Sequence, residues 1–399
     1  MSAPAVVFDL NKTGCGIARC LGRAGVPVTG VHTVPYPALG ALSRYVHDPV
    51  LLPDAGDAEI LAALESIADR YAAKPVVICA TDRAVDFVSR RRTPLQLRFR
   101  LPGAAAPLHE LLDKGVQAEI AARAGLSVPA TVTVRRGCPD IARAIAGVPL
   151  PAIVKPGNSL FGYKRLMGIE RTRDDLEARV AATLADCPSV VVSAYVPGGP
   201  EANFTVMALG RSDGSAAAAT VTRKLRQLPQ LAFGAGTLVE ACRDDELVAL
   251  AAAFVREARI TGPVEVEFKR EHGCGRPHFI EANLRCSALV EMTAAAGANL
   301  PYLAYLDALR DPLPEFSAER ARVLWVDELR DWRLAAAGQL SQDELMRGYA
   351  NVTMLSLHAA DDPEPFEAAR RDAMAEAGDG APLLNRALER LLERATVTA

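Results

Sequence analysis

Three polar residues alternate along residues 277–287, PHFIEANLRCS. Glu281, Asn283 and Arg285 follow an apolar pair, and in a β-strand their side chains all project from one face. A carboxylate, an amide and a guanidinium on one strand face need partners, because buried charges are costly unless they are paired or coordinate a metal. The spacing therefore raises the question of what this strand face holds.

A second carboxylate, Glu267, lies on the preceding strand VEVEFKR, and the turn EHGCGR joins the two strands in a predicted hairpin. Glu267, Glu281 and Asn283 then offer three oxygen ligands on adjacent strands. Mg²⁺ with bound phosphates accepts such a set, because it keeps octahedral geometry and usually takes only one or two carboxylates from protein. The alternative is a surface hairpin in which each carboxylate pairs with a basic neighbour. The hairpin alone leaves both interpretations open.

Composition and charge favour a soluble protein with a small-molecule substrate. The chain has 399 residues, 50% of them hydrophobic, and a formal net charge of −3, which suggests roughly two to four domains or lobes. The only basic tract is Arg90–Arg92, which argues against nucleic acid or an anionic membrane as the main partner. Eight cysteines without a CxxC pair predict reduced thiols in a cytoplasmic protein, with neither disulfides nor zinc. We expect no targeting segment and no membrane span.

The first hundred residues alternate short apolar runs with helical patterns, which predicts a parallel sheet covered by helices. The motif GCG at 14–16 follows the first strand and could bring a helix N-terminus close to an anion. It falls short of GxGxxG, because its sixth position is Arg19 and no acidic residue ends the second strand. We favour a tight strand-to-helix turn here. The alternative is a dinucleotide site, and with it a nicotinamide-dependent oxidoreductase.

From residue 111 the pattern changes to a helix, a strand and then a strand–loop–strand unit, PAIVKPGNSLFGYKRLMGIERT, with Lys155 at the end of its first strand. Residues 157–164 read GxxxxGxK, but they miss the Walker A pattern by one residue and lead into a strand instead of a helix. The tail from 320 is charged and rich in helical patterns. Further strands are predicted at 190–196, 201–210 and 215–226, and helices at 172–186 and 244–259.

The order of these motifs resembles the ATP-grasp superfamily, most closely its carboxylate-amine ligases. The resemblance rests on DK at 113–114, VKP, the glycine-bearing loop, the hinge strand, VEF and IExNxR. Residues 222–240, TRKLRQLPQLAFGAGTLVE, are similar to the central block of one bacterial subgroup. Each motif is weak alone, whereas their shared order is specific.

The resemblance implies an α/β fold: a Rossmann-like preceding domain, an ATP-grasp fold of two α+β lobes that clasp ATP, and a helix-rich C-terminal tail. The Rossmann-like domain would span 1–108. The small lobe, with a phosphate-covering loop and the hinge, would span 109–196, and the large lobe, with the magnesium site, 197–320. The C-terminal extension would span 321–399.

The same resemblance implies where the nucleotide lies. Lys114 and Lys155 would touch its phosphates, and the loop 157–168, which contains Gly157 and Gly162, would cover them as a lid. The hinge departs from the family pattern, since Ser193 and Ala194 replace an acidic and a basic residue. Adenine recognition would then rely on backbone groups of Ala194 and Val196, and Glu201 falls where the family binds the ribose.

For the metal and the chemical step, Glu267, Glu281 and Asn283 match the family's magnesium ligands. Arg285 matches the arginine beside the reacting phosphate. The family's common form IEINPR reads IEANLR here, so the polar positions are kept. The cationic group TRKLR contains Arg223, Lys224 and Arg226, and one or two of them, foremost Arg223 and Lys224, would grip the carboxylate substrate or the acyl phosphate. The alternative for that group is a solvated strand face.

The resulting hypothesis is an enzyme, a ligase that uses ATP and Mg²⁺, with Mn²⁺ as a substitute ion, to join a carboxylate to an amine. ATP would phosphorylate the carboxylate, the amine would attack the acyl phosphate, and ADP and phosphate would leave. Besides the oxidoreductase, a catalytically degenerate nucleotide-binding regulatory protein is the other alternative. An amino acid or peptide is the expected substrate class. The sequence identifies neither the acid nor the amine, and it leaves homo-oligomerisation open.

Overall fold

The computed structural model describes residues 3–102, 107–160, 166–229, 233–314 and 322–395. Over these ranges the fold is mixed α/β and contains two four-stranded sheets and one seven-stranded sheet. The α/β class predicted from the sequence, with its N-terminal parallel sheet and helix-rich tail, is confirmed.

The first sheet is parallel, with strand order β3-β2-β1-β4. Its central strand β1 is the run AVVF, which is buried over its whole length because helices cover the sheet. Alternating strands and helices with this order form the predicted Rossmann-like arrangement. The elements are β1 Ala5–Phe8, α1 Lys12–Arg23, β2 Val28–His32, β3 Val50–Leu51, α2 Asp57–Asp69, β4 Val76–Cys79, α3 Asp82–Arg90 and α4 Arg92–Arg98.

The second sheet is antiparallel, with order β5-β8-β6-β7. Its alternating apolar residues, such as Val134, Val154 and Val190, pack against Ile145 and Leu176 of two helices. The two strands predicted around VKP are confirmed as β6 and β7. The elements are α5 Lys114–Arg123, β5 Thr131–Arg135, α6 Ile141–Ile145, β6 Ala152–Pro156, β7 Gly168–Glu170, α7 Arg173–Asp186 and β8 Ser189–Ala194.

The third sheet has the order β13-β12-β9-β10-β11-β14-β15. The predicted hairpin is confirmed as β12 and β13, at the edge of this sheet. Phe254 of the helix that follows β11 packs against Phe279 of β13, with ring centroids 4.8 Å apart, which anchors the hairpin on one face. The elements are β9 Asn203–Gly210, β10 Ala216–Leu228, β11 Ala235–Cys242, α8 Asp245–Glu257, β12 Gly262–Arg270, β13 Pro277–Asn283, α9 Val290–Ala295 and α10 Leu300–Leu309.

The C-terminal segment is helix-rich as predicted, but it also extends the third sheet with two short strands. Strand β14 pairs antiparallel with β11, and β15 pairs parallel with β14. The segment is fastened to the first domain by a buried ion pair, in which Arg19 Nε lies 2.8 Å from Asp362 Oδ2. The elements are β14 Leu324–Val326, α11 Trp332–Ala336, α12 Gln342–Gly348, β15 Met354–Leu355, α13 Glu364–Ala377 and α14 Ala381–Ala395.

The sequence predicts reduced thiols and no membrane span, and the structure gives one finding on each. All eight cysteines are free thiols; Cys15, Cys20, Cys187 and Cys286 are buried, whereas Cys274 is exposed. Over the described ranges, each helix is too short or too polar to cross a bilayer.

Candidate functional site

One large cavity, with a volume of about 1140 Å³, lies where the three sheets meet. The first sheet contributes the segments after β1 and β4, the second contributes β6 and the hinge after β8, and the third contributes β10 and the hairpin. The cavity therefore collects residues that are far apart in the sequence. Predicted site residues that line it are Lys114, Lys155, Ala194, Val196, Lys224, Glu267, Glu281, Asn283 and Arg285.

Glu267 and Glu281 occupy directly opposite positions of the β12–β13 pair. Like charges in such positions destabilise a sheet, so the pair needs a cation nearby. Asn283 lies beside them, and its Nδ2 donates to Glu265 Oε2 at 3.0 Å and to Glu267 Oε1 at 3.2 Å. Burial and the charge of Glu267 raise the pKa of Glu265 to about 7. The hairpin end of the cavity therefore holds an acidic cluster, which consists of Glu265, Glu267 and Glu281.

Two lysines supply part of the positive charge that the opposed carboxylates Glu267 and Glu281 require. Lys114 Nζ lies 2.7 Å and Lys155 Nζ lies 3.6 Å from the same oxygen, Glu281 Oε2. Burial opposes the charge of Lys114, but Glu281 outweighs it and the pKa of Lys114 is raised. The surface-hairpin alternative is wrong for Glu281, because its partners come from α5 and β6 instead of its own strand.

Both lysines and the second hairpin strand are held by local backbone contacts. The Lys114 N–H donates to the Gly157 carbonyl at 2.8 Å, so helix α5 begins against the start of the glycine-bearing loop. The buried side chain of Gln117 donates to the Ala282 carbonyl at 2.8 Å and accepts from the Ala282 N–H at 2.9 Å. Ala282 lies between Glu281 and Asn283 on β13, so Gln117 fixes the strand that carries both.

Arg285 follows the end of β13 and pairs with the first domain. Its Nε donates to Asp82 Oδ1 at 2.9 Å, and its Nη1 donates to the Cys286 carbonyl at 3.1 Å. Burial opposes the charge of Arg285, but Asp82 and Glu265 outweigh it and raise its pKa. Asp82 is the first residue of α3 and lies just beyond the carboxyl end of β4, where side chains of a parallel sheet meet a ligand crevice.

The hinge end of the cavity is basic. Lys269 of β12 is buried, and its Nζ donates to Tyr195 Oη at 3.3 Å and lies 4.5 Å from the centroid of that ring. Burial, Lys224 and Lys155 lower the pKa of Lys269 to about 8. Lys224 Nζ donates to the Gly234 carbonyl at 3.0 Å. An acidic end and a basic end therefore share one cavity.

The far wall of the cavity joins the first domain to the C-terminal segment. Asn11 and Thr13 line it from the first domain, and Trp325, Asp327 and Arg330 line it from the segment that follows α10. Lys12 Nζ and Asp327 Oδ2 are 2.9 Å apart and connect the two parts. This wall offers polar and aromatic groups at a distance from the acidic cluster.

The structure brings the predicted hinge residues to the cavity and leaves the predicted ribose-binding residue outside its described lining. The Ala194 N–H donates to the Ala130 carbonyl at 2.8 Å, so Ala194 would accept a hydrogen bond from adenine at its carbonyl oxygen. Val196 is buried and lines the cavity. Glu201 is exposed in the short 3-10 helix Pro200–Ala202 and lies outside the described lining of the cavity. Its negative charge acts to raise the pKa of Lys269. The carbonyl of Gly157 accepts from the Lys114 N–H, as described above. Gly162 belongs to residues 161–165 of the predicted lid, which lie outside the described residues.

The expectation that Arg223 grips a substrate is not supported by its position. Side chains alternate along β10, so Lys224 faces the cavity while Arg223 projects elsewhere, with its Nε 3.4 Å from Glu240 Oε1. An irregularity in the β10–β11 pairing follows Lys224. Beyond it, Arg226 is buried and lies 2.8 Å from Asp331 Oδ2.

The glycines of GCG have a packing role. A Cβ on Gly14 would lie 2.1 Å from the Asp9 carbonyl oxygen, and one on Gly16 would lie 2.8 Å from a methyl of Val290. Both glycines therefore let α1 approach its neighbours closely, as a tight strand-to-helix turn requires. The dinucleotide alternative is not needed to explain them.

Four site residues were missed from the sequence: Asp82, Gln117, Glu265 and Lys269. For Glu265 and Lys269 a signal existed, since alternation in VEVEFK places them near Glu267 on β12. Asp82 and Gln117 carry no such signal, because only tertiary structure brings them to the hairpin.

The donor set fits Mg²⁺. Glu267, Glu281 and Asn283 offer hard oxygen ligands, and two opposed carboxylates favour a divalent ion. The Asn283 amide points its Nδ2 at the carboxylates, so ligation requires the amide to turn its Oδ1 toward the ion. Over the described residues, no group of three or more Asp, Glu, His or Cys side chains is arranged to hold a metal, so the amide and bound phosphates would have to complete the set.

Comparison with known proteins identifies the fold. Residues 186–329 match the model of a family described as ATP-grasp in the biosynthetic pathway with Ter operon. Among curated proteins, none matches the sequence. An N5-carboxyaminoimidazole ribonucleotide synthetase in complex with ADP aligns with a TM-score of 0.66 at 18% identity, covering 86% of this chain and 86% of that chain.

Two further solved structures show the same architecture. An L-amino acid ligase from Bacillus licheniformis aligns with a TM-score of 0.60 at 17% identity, covering 81% of this chain and 78% of that chain. A biotin carboxylase from Campylobacter jejuni, solved with an ATP analogue, aligns with a TM-score of 0.65 at 14% identity, covering 81% and 74%. The chain has the ATP-grasp fold. The family match itself is confined to residues 186–329.

Proposed function

We propose that the protein is an ATP- and magnesium-dependent ligase that joins a small-molecule carboxylate to an amine through an acyl phosphate, releasing ADP and phosphate. The observation that carries the proposal is the opposed pair Glu267 and Glu281, flanked by Lys114 and Lys155, inside one large cavity of an ATP-grasp fold. Opposed carboxylates beside lysines suit a metal–polyphosphate complex, because the metal offsets the acidic charge and the phosphates offset the lysines.

Each residue then has a chemical task. Lys114 and Lys155 exchange their contact with Glu281 for the phosphates, which leaves that carboxylate to the metal. Bound magnesium would neutralise phosphate charge and align the terminal phosphate. Arg285, oriented by Asp82, stabilises charge that develops on the transferred phosphoryl group. Such a site needs no covalent nucleophile, since positioning and electrostatic stabilisation supply most of phosphoryl-transfer catalysis.

The far wall has the features of a substrate site. Three strands of the third sheet separate β14, which carries Trp325, from β12, and the wall combines Trp325 with the charged groups of Asp327 and Arg330. An amino acid or peptide carries both a carboxylate and an amine, so these groups are complementary to it. The solved L-amino acid ligase with the same fold supports this substrate class. A cytoplasmic location stays a prediction.

A screen for products tests the proposal. The protein is incubated with ATP, Mg²⁺ and a pool of amino acids and other carboxylates, and the mixture is analysed by mass for ADP and for condensed products. We expect ADP together with a product whose mass is that of two pool members less one water. The matched control is Glu267→Gln, which should give neither. A shift in melting temperature with ATP and Mg²⁺ but no turnover would contradict the proposal.

A further inference from the structure

The N-terminus of α1 meets the cavity with hydrogen-bond donors that lack partners. Asn11 caps this helix: its Oδ1 accepts from the Gly14 N–H at 3.1 Å, and its carbonyl accepts from the Cys15 N–H at 2.9 Å. Among the described residues, nothing accepts from the N–H groups of Lys12 and Thr13. The first turn, residues 12–15 of the described chain, contains no acidic side chain. The positive end of this helix is therefore available to an anion in the cavity.

Thr13 provides a second and independent sign of a ligand. Its exposed fraction is 9%, and it lines the cavity. Its hydroxyl makes no hydrogen bond within the part of the chain that the structure describes. A buried hydroxyl without a partner is unfavourable, so a bound acceptor would stabilise it. One anion can accept from this hydroxyl and from both backbone N–H groups, because all three donors belong to the same helical turn.

The N-terminus of α1 lies close to the residues that orient Arg285. Strand β1 pairs in parallel with β4, and neighbouring strands lie about 4.8 Å apart. Helix α1 begins after β1, whereas α3, whose first residue Asp82 accepts from Arg285, begins after β4. The Asp9 carboxylate, after β1, accepts from the Thr81 hydroxyl, after β4, and so ties the two strand ends together. The N-termini of α1 and α3 therefore flank one crevice at the carboxyl ends of the sheet.

The charges around this helix end favour a carboxylate over a phosphate. Lys12 Nζ lies 2.9 Å from Asp327 Oδ2, and Arg330 Nε lies 3.7 Å from the same oxygen. Asp9 is fully buried and accepts from the N–H and the hydroxyl of Thr33, both at 2.9 Å. These two cations and two carboxylates balance, so the net attraction comes from the helix end, which is equivalent to about half a positive charge. It suits a singly charged carboxylate better than a phosphate, which carries about −1.5 to −2 charges.

We propose that the N-terminus of α1 binds the free carboxylate of the amine substrate, and that this substrate is an α-amino acid. The Lys12 and Thr13 N–H groups and the Thr13 hydroxyl donate to the carboxylate. The inference rests on the proposed function, because it takes the amine of that reaction as the ligand. An α-amino acid carries its amine and its carboxylate on one carbon, so a carboxylate held at α1 places the amine in the crevice that Arg285 shares. The carboxylate that ATP phosphorylates belongs to the other substrate.

Saturation-transfer NMR with a pool of the common amino acids tests the inference without any turnover. The protein is measured with ADP and Mg²⁺, and the amino acid that gives the strongest signal is then titrated. We expect it to bind Thr13→Val at least about tenfold more weakly than the wild type, since a hydrogen bond to a charged group is lost. Thr13→Ser keeps the hydroxyl and should stay within a few-fold. Thr93→Val, at an exposed threonine outside the described lining, is the matched control and should change nothing.

The amide of that amino acid and inorganic phosphate are the other two probes. The amide keeps the amine but loses the negative charge, so it should bind the wild type at least about tenfold more weakly than the amino acid does. Its affinity should be the same for Thr13→Val as for the wild type. Inorganic phosphate should not displace the amino acid at equal concentration.

Three results would overturn the inference: no binding of any amino acid, equal binding of the amide, or unchanged affinity in Thr13→Val. Displacement by phosphate at equal concentration would assign the helix end to a phosphate group and would overturn it as well. The melting temperature of each variant without ligand shows whether it has folded. If Thr13→Val does not fold, the comparison of amino acid and amide on the wild type decides.

The release of ADP in the product screen reports on the proposed function separately. Condensation with an amine that lacks a carboxylate would keep the proposed function and overturn the inference. Binding of an amino acid that depends on Thr13, without any release of ADP, would keep the carboxylate site and contradict the ligase.

Discussion

Arg285 Nε lies 2.9 Å from Asp82 Oδ1, and this ion pair joins the hairpin of the large sheet to the first domain. Asp82 begins α3, and the Thr81 hydroxyl caps that helix by accepting from the Ala84 N–H. The same hydroxyl donates to Asp9, which is fully buried. The Rossmann-like domain therefore orients a residue that, in our proposal, acts on the transferred phosphoryl group.

We predict that Asp82→Asn lowers turnover at least about tenfold, roughly 1.4 kcal/mol of barrier, while ATP affinity stays within a few-fold of the wild type. The reason is that the amide keeps the volume but weakens the contact that orients the guanidinium. Arg285→Lys should show the same pattern, because it keeps the charge and loses the planar fork. Turnover and ATP affinity are measured on the same samples.

Asp69→Asn is the control for this pair. Asp69 is exposed and pairs with Arg98 in the same domain, away from the cavity. It should leave turnover unchanged. A large loss of ATP affinity with unchanged turnover in Asp82→Asn or Arg285→Lys would assign the pair to binding alone.

A second prediction separates the two carboxylates of β12. Glu267→Gln should lower magnesium-dependent turnover about a hundredfold or more, since it removes a metal-ligand charge without changing volume. Glu265→Gln should cost clearly less, because a glutamine can still accept from Asn283 and because burial and Glu267 raise the pKa of Glu265 to about 7. Turnover is followed as Mg²⁺ is titrated. Equal losses, or more than a tenth of wild-type activity in Glu267→Gln, would contradict the ligand assignment.

Gln117 should matter for both stability and activity. Gln117→Leu leaves the Ala282 N–H and carbonyl without their side-chain partner inside the protein. Buried unpaired groups of this kind cost about 1–3 kcal/mol each, so we expect the free energy of unfolding to fall by about 2–4 kcal/mol. Turnover should fall as well, because Glu281 and Asn283 flank Ala282.

Denaturant unfolding measures this change, with Glu119→Leu as the control on the same helix. Glu119 is exposed, so its replacement should change the free energy of unfolding by no more than about 0.5 kcal/mol. If Gln117→Leu were as stable as Glu119→Leu, the side chain would have no role in holding β13.

Two adjacent aspartates test how the C-terminal segment is fastened. Asp362 is buried and accepts from Arg19 and from Ser43 Oγ at 2.7 Å, whereas Asp361 pairs with Arg23 at the surface. Asp362→Ala removes the closer of the two carboxylates that pair with the buried Arg19, leaving Glu291 at 3.4 Å, and should cost about 3–5 kcal/mol. Asp361→Ala should cost about 1 kcal/mol or less. Thermal and denaturant unfolding compare the two, and similar losses would contradict this account of the fastening.

The elements that could be predicted from the sequence are those that local residue patterns determine. The hairpin, the strand with VKP and the helix predicted after residue 111 follow from alternation, turn residues and apolar spacing, and the structure has all three. The orientation of β10 could not be predicted, because alternation places Arg223 and Lys224 on opposite faces without saying which face meets the cavity.

Long-range contacts account for what the sequence could not predict. Strands β14 and β15 have three and two residues, and they form only because β11 offers an edge for pairing. Asp82 reaches Arg285 across about half of the chain, and no spacing rule connects them. The charge balance at Lys269 likewise emerges only when β8, β10 and β12 converge on one cavity.

The central claim, that ATP phosphorylates a carboxylate in this cavity, is tested most directly by following an oxygen atom. The carboxylate substrate found by the screen is labelled with ¹⁸O and converted with ATP, Mg²⁺ and the amine. Our proposal predicts ADP and inorganic phosphate that carries one ¹⁸O from the carboxylate, because the bridging oxygen of the acyl phosphate leaves with the phosphate. Phosphate without the label, or AMP and pyrophosphate as products, would contradict it.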